Sequence, residues 1–171
     1  MISARRRTLW LGINLITAVM ASLVIGLFEA TIDKIVALAV LMPIVASMGG
    51  IAGSQTLTLT TRGIALGQLS SSNTRWLILK ELAVGSINSL IWACIVAAIA
   101  GFWFGDMQIA LLIAIAMIIN IVIASVMGTM LPVMLDRIGI DPALAGSVLL
   151  TTVTDIVGFF AFLGLATIFL L

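Results

Sequence analysis

Apolar residues fall into five long blocks along the chain, 8–28, 35–59, 77–104, 108–135 and 142–171, parted by short polar breaks. A helix needs about 20 residues to cross the hydrocarbon of a bilayer, and a longer one can tilt. Each block therefore predicts one transmembrane α-helix. The breaks have the chemistry of a membrane surface. Residues 29–34 carry Glu29, Asp33 and Lys34, and residues 62–81 hold the polar run 70–74. Gly105 and Asp106 suit a tight turn, and residues 136–141 carry Asp136, Arg137 and Asp141. Pro142 fits the first turn of the last helix, where its missing N–H removes no helical hydrogen bond, and Asp141 before it can cap that helix.

Basic residues orient the blocks. With the N-terminus in the cytoplasm, Arg5, Arg6, Arg7, Arg62, Arg75, Lys80 and Arg137 all fall on cytoplasmic segments, and of the 8 basic residues only Lys34 lies outside. This is the bias expected of an inner (plasma) membrane protein. Residues 1–7 form a basic cytoplasmic flank and residues 8–171 a five-helix transmembrane domain. The first block exceeds the h-region of about 7–15 residues of a secretory leader and is closed by no A-x-A-like site, so it reads as a span.

Composition narrows the class further. Of 171 residues 63% are hydrophobic, the mean hydropathy is +1.34, and there are 8 basic and 7 acidic side chains. A soluble domain cannot hide that much apolar surface, so the fold class is an all-α integral membrane protein. There is no His and one cysteine, Cys94, which excludes a Cys/His zinc site, a CxxC pair and an intramolecular disulfide. Any metal must be held by oxygen. Ser-His catalysis is excluded too, and a diaspartyl mechanism would need a second buried acid facing Asp155 in the same chain, so no enzyme is expected. A net charge of +1 offers no field for nucleic acid.

An ionisable group in hydrocarbon costs roughly 2.5–3.5 kcal/mol on insertion scales and needs compensation. Asp155 is such a group, about 20 Å along its helix from Pro142. Ser147, Thr151, Thr154, Asp155 and Gly158 recur at steps of three or four and share a helical face, with Val148, Phe159 and Phe162 opposite. No basic residue within the expected spans can pair with Asp155. It is either a cation site in a wet pathway or a carboxyl satisfied by hydroxyls between helices. The default for intramembrane ionisable groups favours the first, with a mobile cation or another chain as partner.

The second block holds PIVASMGGIAGSQT at residues 43–56. Gly49, Gly50 and Gly53 each weaken a helix by roughly 1 kcal/mol, and Pro43 removes an internal hydrogen bond. Such a segment bends, packs closely, or opens carbonyls toward a cavity. Gln55 and the hydroxyls of Thr56, Thr58, Thr60 and Thr61 favour a polar lining. Asn14, Ala18, Ser22 and Gly26 on the first block, Asn88 on the third, and Asn120, Ala124 and Gly128 on the fourth read as helix packing and interhelical hydrogen bonds. Glu29, Asp33 and Asp106 gather on the outer side, where they either attract incoming cations or are simply solvated.

Three stretches, PIVASMGGIAGSQTLTLTTRGIALGQL at 43–69, GIDPA at 139–143 and TTVTD at 151–155, resemble in order and spacing the membrane domain of the MgtE family of magnesium channels. The resemblance extends over essentially all five blocks. It implies a homodimer in lipid, with one pore at the two-fold interface lined by the second and fifth spans of both subunits. It implies Mg²⁺ as the transported ion and ligand of a metal site at Asp155, with Thr151 and Ser147 one and two turns earlier. Gly49, Gly50, Gly53, Gln55 and Thr154 would line the pore, Asp141 would belong to a cytoplasmic metal site, and Glu29 and Asp33 would face the external mouth. Magnesium loses water reluctantly, so the implied site holds it largely hydrated.

Two departures stand out. Many family members have Asn where this chain has Ile51, so carbonyls rather than that side chain are expected to meet the ion. Well-known members also carry a large cytoplasmic part before the membrane domain, and such regulatory domains are expected as partners outside this chain. A proton- or sodium-coupled divalent cation carrier and a membrane scaffold subunit are the alternatives.

Overall fold

The computed structural model describes residues 2–69 and 71–171, with side chains for 8–69 and 73–171. Arg5, Arg6 and Arg7 of the basic flank thus lie outside the described side chains. Among the described residues six helices follow one another: α1 (Ile2–Gly26), α2 (Glu29–Lys34), α3 (Val36–Ala65), α4 (Ser71–Phe104), α5 (Met107–Arg137) and α6 (Pro142–Leu170). All but α2 are long and apolar enough to cross a membrane. The protein is all-helical, with the five expected spans. The differences lie at the breaks. Residues 29–34, predicted as a linker, form the short helix α2. The second span continues beyond residue 59 to Ala65, and the third starts at Ser71 rather than at 77. Polar side chains there reach water while the backbone keeps its helical bonds, so hydropathy ends before the helix does.

The caps follow the sequence. Asp141 accepts from Ala143 N at 2.9 Å with Pro142 opening α6. Asp106 accepts from Gln108 N at 2.8 Å and Ile109 N at 3.4 Å at the start of α5. Gly105 and Gly139 precede these caps with φ of 64° and 74°, a left-handed conformation costly for other residues.

Helix α5 is the axis of the bundle: α3, α4 and α6 all pack on it, while α1 rests on α6. Leu38, Leu41 and Val45 of α3, Ile113, Met117 and Ile121 of α5, and Phe162 and Leu163 of α6 build the shared core. Glycines set the closest approaches. A Cβ at Gly49 would meet Asn120, at Gly53 Leu150 and Ala124 O, at Gly128 Gly53 O, at Gly146 Leu57, and at Gly158 Asn120. The partners of α3 ascend along α5 and descend along α6. Hence α3 runs parallel to α5 and antiparallel to α6, as alternate crossings require.

The small-residue expectations divide. Asn120 is fully buried and its Nδ2 donates to Val45 O at 2.9 Å, an interhelical bond as expected. Asn88 and the stripe Asn14, Ala18, Ser22 and Gly26 are exposed, so they do not pack within the chain. Among the described side chains of α1, Ala21 is the buried one.

Candidate cation site

On α6, Gly146, Leu150, Thr154 and Gly158 are buried, with Gly146, Leu150 and Gly158 against α3 and α5. A helix turns about 100° per residue, so the next residue after each of the first three of these forms an adjacent row: Ser147, Thr151 and Asp155. On α3 the contacts with α6 belong to Val45, Gly53 and Leu57, while Gly49, one turn before Gly53, packs on Asn120 of α5. The residues after Gly49, Gly53 and Leu57 are Gly50, Ser54 and Thr58. In an antiparallel pair, a one-residue step on either helix turns toward the same side. The two rows therefore border a single groove. The contacts of Gly53 with Leu150 and of Gly146 with Leu57 bring Ser54 level with Thr151 and Thr58 level with Ser147, and Gly50 continues the row toward Asp155.

This groove is open. Ser147 and Thr58 are exposed, while Gly50, Ser54, Thr151 and Asp155 are half-buried. Nothing lies within 4 Å of where a Cβ on Gly50 would stand. Among the described residues none gives the Asp155 carboxylate a hydrogen bond or an ion pair. The nearby hydroxyls are turned to their own helix: Thr151 donates to Ser147 O at 3.0 Å, Thr152 to Val148 O at 2.7 Å and Thr154 to Thr151 O at 3.1 Å. Of the two readings of Asp155, satisfaction by neighbouring hydroxyls is not what the chain provides.

The other candidates are dispersed. Gly49, Gly53 and Thr154 lie in helix contacts behind the groove rather than on its surface, and Gln55 is exposed one residue beyond Ser54. Asp141 is occupied as a cap, yet with Asp136, Thr61 and Gly139 it borders a cavity of about 480 Å³, and the buried Thr61 hydroxyl there has no partner. Glu29 and Asp33 are exposed on α2. Asp106 is engaged at its cap. No three of Asp, Glu, Cys or His gather among the described residues, so a cation in the groove would meet one carboxylate per chain, with hydroxyl and carbonyl oxygens around it.

Two residues escape the sequence reading. Ser54 sits midway between Gly50 and Thr58 at four-residue steps, a spacing that could have found it. Glu81, which the sequence places in a polar break, is 6% exposed and accepts from Thr56 Oγ1 at 3.2 Å. Its signal is Gly85, one turn on, where a Cβ would meet Ser125 of α5: a carboxylate one turn from a packed glycine faces inward.

Five helices long and apolar enough to cross a membrane, with a carboxyl group midway along the last of them bordering a groove, define a multi-pass membrane protein. Comparison with known proteins specifies the family. Residues 42–165 match the family model MgtE, described as a divalent cation transporter. The chain is similar to the magnesium transporter MgtE of Thermus thermophilus, at 30% identity over 96% of this chain and 36% of that protein. It is similar to that of Bacillus subtilis at 28% over 99% and 38%, and to that of Enterococcus faecalis at 26% over 98% and 37%. The chain belongs to the MgtE family of divalent cation transporters and is a multi-pass plasma-membrane protein. It spans less than two fifths of the length of these relatives.

Proposed function

We propose that two copies of the chain, each with its N-terminus in the cytoplasm, enclose a Mg²⁺ pathway whose central ligands are the two Asp155 carboxylates. The observation that carries this reading is an intramembrane carboxylate with no partner among the described residues, bordering an open groove of oxygen atoms. A two-fold axis along that groove brings two such acids to one ion. With a divalent ion about 5 Å from each carboxylate and an effective dielectric of about 20, the two attractions sum to roughly −13 kcal/mol, against roughly +2 for carboxylates about 10 Å apart. Desolvation consumes much of this, and the sign still favours occupancy.

Outer-sphere contacts suit magnesium, which keeps its water. Thr151, Ser147 and Ser54 then present oxygens to the hydration shell, and Gly50 lets backbone approach it. Gly49, Gly53 and Thr154 support this edge from behind, with Gln55 beside it. Asp141 with Asp136 and Thr61 forms a cytoplasmic mouth, and Glu29 and Asp33 an external one. Uptake into proteoliposomes tests the assignment. Asp155→Asn and Asp155→Ala should each lower Mg²⁺ flux at least about tenfold, the loss of a charge at a desolvated site, with insertion unchanged. Wild-type flux in either variant would overturn it. Flux that follows the Mg²⁺ gradient and the membrane potential alone, about 4.6 kcal/mol per ion per 100 mV, distinguishes a channel from a proton- or sodium-coupled carrier.

A further inference from the structure

Helix α3 is weakest around Gly49, Gly50 and Gly53, and two side-chain hydrogen bonds with neighbouring helices fall on either side of that stretch. Before it, Asn120 of α5 donates Nδ2 to Val45 O at 2.9 Å. After it, Thr56 donates Oγ1 to the Glu81 carboxylate of α4 at 3.2 Å. Both anchors are costly. Asn120 is fully buried with its Oδ1 unpartnered, and Glu81 is a carboxylate 6% exposed in an apolar span. A hydrocarbon side chain would fill either place without an uncompensated acceptor or charge. What the polar groups add is direction: each fixes the height of one point on α3. Asn120 also occupies the space left by Gly49 and Gly158, so one amide registers α3 against α6 within a turn of Asp155.

Resting on the pathway proposed above, we infer that Asn120 and Glu81 are positioning residues that hold the Gly50–Ser54 edge of α3 at a fixed distance from Asp155, without touching the ion. The test is Mg²⁺ uptake by the reconstituted chain as a function of Mg²⁺ concentration, with thermal unfolding measured in parallel. Asn120→Leu fills the space and removes the bond; Thr56→Val keeps the shape and removes the donor. Each should raise the half-saturating Mg²⁺ concentration about fivefold or more, since small displacements of binding groups are felt strongly, in protein that inserts and retains its helicity. Glu81→Leu should behave like Thr56→Val, whereas Glu81→Gln, which keeps an acceptor, should stay within about twofold of wild type.

Unchanged half-saturation in well-folded Asn120→Leu and Thr56→Val overturns the inference, as does a loss confined to the yield of folded protein. Should Asn120→Leu fail to fold, the Thr56 and Glu81 variants decide. Asp155→Asn serves as the reference: if it is inactive while the anchor variants match wild type, only the positioning role fails, and if it conducts normally the pathway falls with it.

Discussion

Gly128 and Gly50 lie on neighbouring helices and differ in what surrounds them. A methyl group at Gly128 would stand 2.6 Å from Gly53 O and 2.9 Å from Thr56 Cβ, and backbone cannot rotate out of the way. Gly50 has free space where its side chain would be. Gly128→Ala should therefore destabilise the bundle by about 1–3 kcal/mol, the usual cost of overpacking, read as a lower unfolding temperature in detergent. Gly50→Ala should unfold like wild type, and any change it brings should appear in Mg²⁺ flux instead. The same contrast explains what was legible residue by residue. Asp155 announces itself because charge in hydrocarbon is expensive wherever the chain folds. Glu81 does not, because Arg75, Lys80 and Glu81 together look like a water-facing flank, and only the packing of Gly85 on Ser125 turns the acid inward.

Helices in this chain are shaped by their ends as much as by their apolar runs. Asp106 caps the start of α5, accepting from two backbone N–H groups. Asp106→Ala should cost about 1 kcal/mol and Asp106→Asn far less. Hydrogen exchange at Gln108 and Ile109 would register the difference as faster exchange in the alanine variant. Turn chemistry of this kind is written locally, which is why Gly105–Asp106 and Asp141–Pro142 were readable from sequence. Facing was not. A span bordered by lipid on one side and apolar neighbours on the other is hydrophobic all round, so its periodicity carries little information. Thr154 and Asp155, adjacent in sequence, were placed on one face, yet the first is enclosed and the second open. That separation depends on where Gly53 and Leu57 of α3 meet α6, a long-range fact.

At the scale of the whole molecule, the groove between α3 and α6 is where a second copy is proposed to sit. The lone cysteine, Cys94, is exposed on α4, so Cys94→Ser leaves a background free of thiols. Ser147→Cys and Ser54→Cys in that background should yield linked dimers with a bismaleimide cross-linker of about 10 Å span in liposomes, because a pathway that holds a hydrated ion keeps the two positions beyond the reach of about 7 Å of a direct disulfide. Trp92→Cys, on the exposed side of α4, should remain monomeric on a denaturing gel. Absence of cross-linking from both groove positions in protein that transports Mg²⁺ would refute the two-fold arrangement.

Helix α1 leans on α6, and among its described side chains all but Ala21 are at least partly exposed. During synthesis the segments of a chain emerge in order, at about 5–20 residues per second. The earliest span must therefore linger in the bilayer, without its protein neighbour, until the latest of the five has been threaded in. The groove between α3 and α6 is completed at the same moment, so on the pathway proposed above a partly made chain offers ions no route.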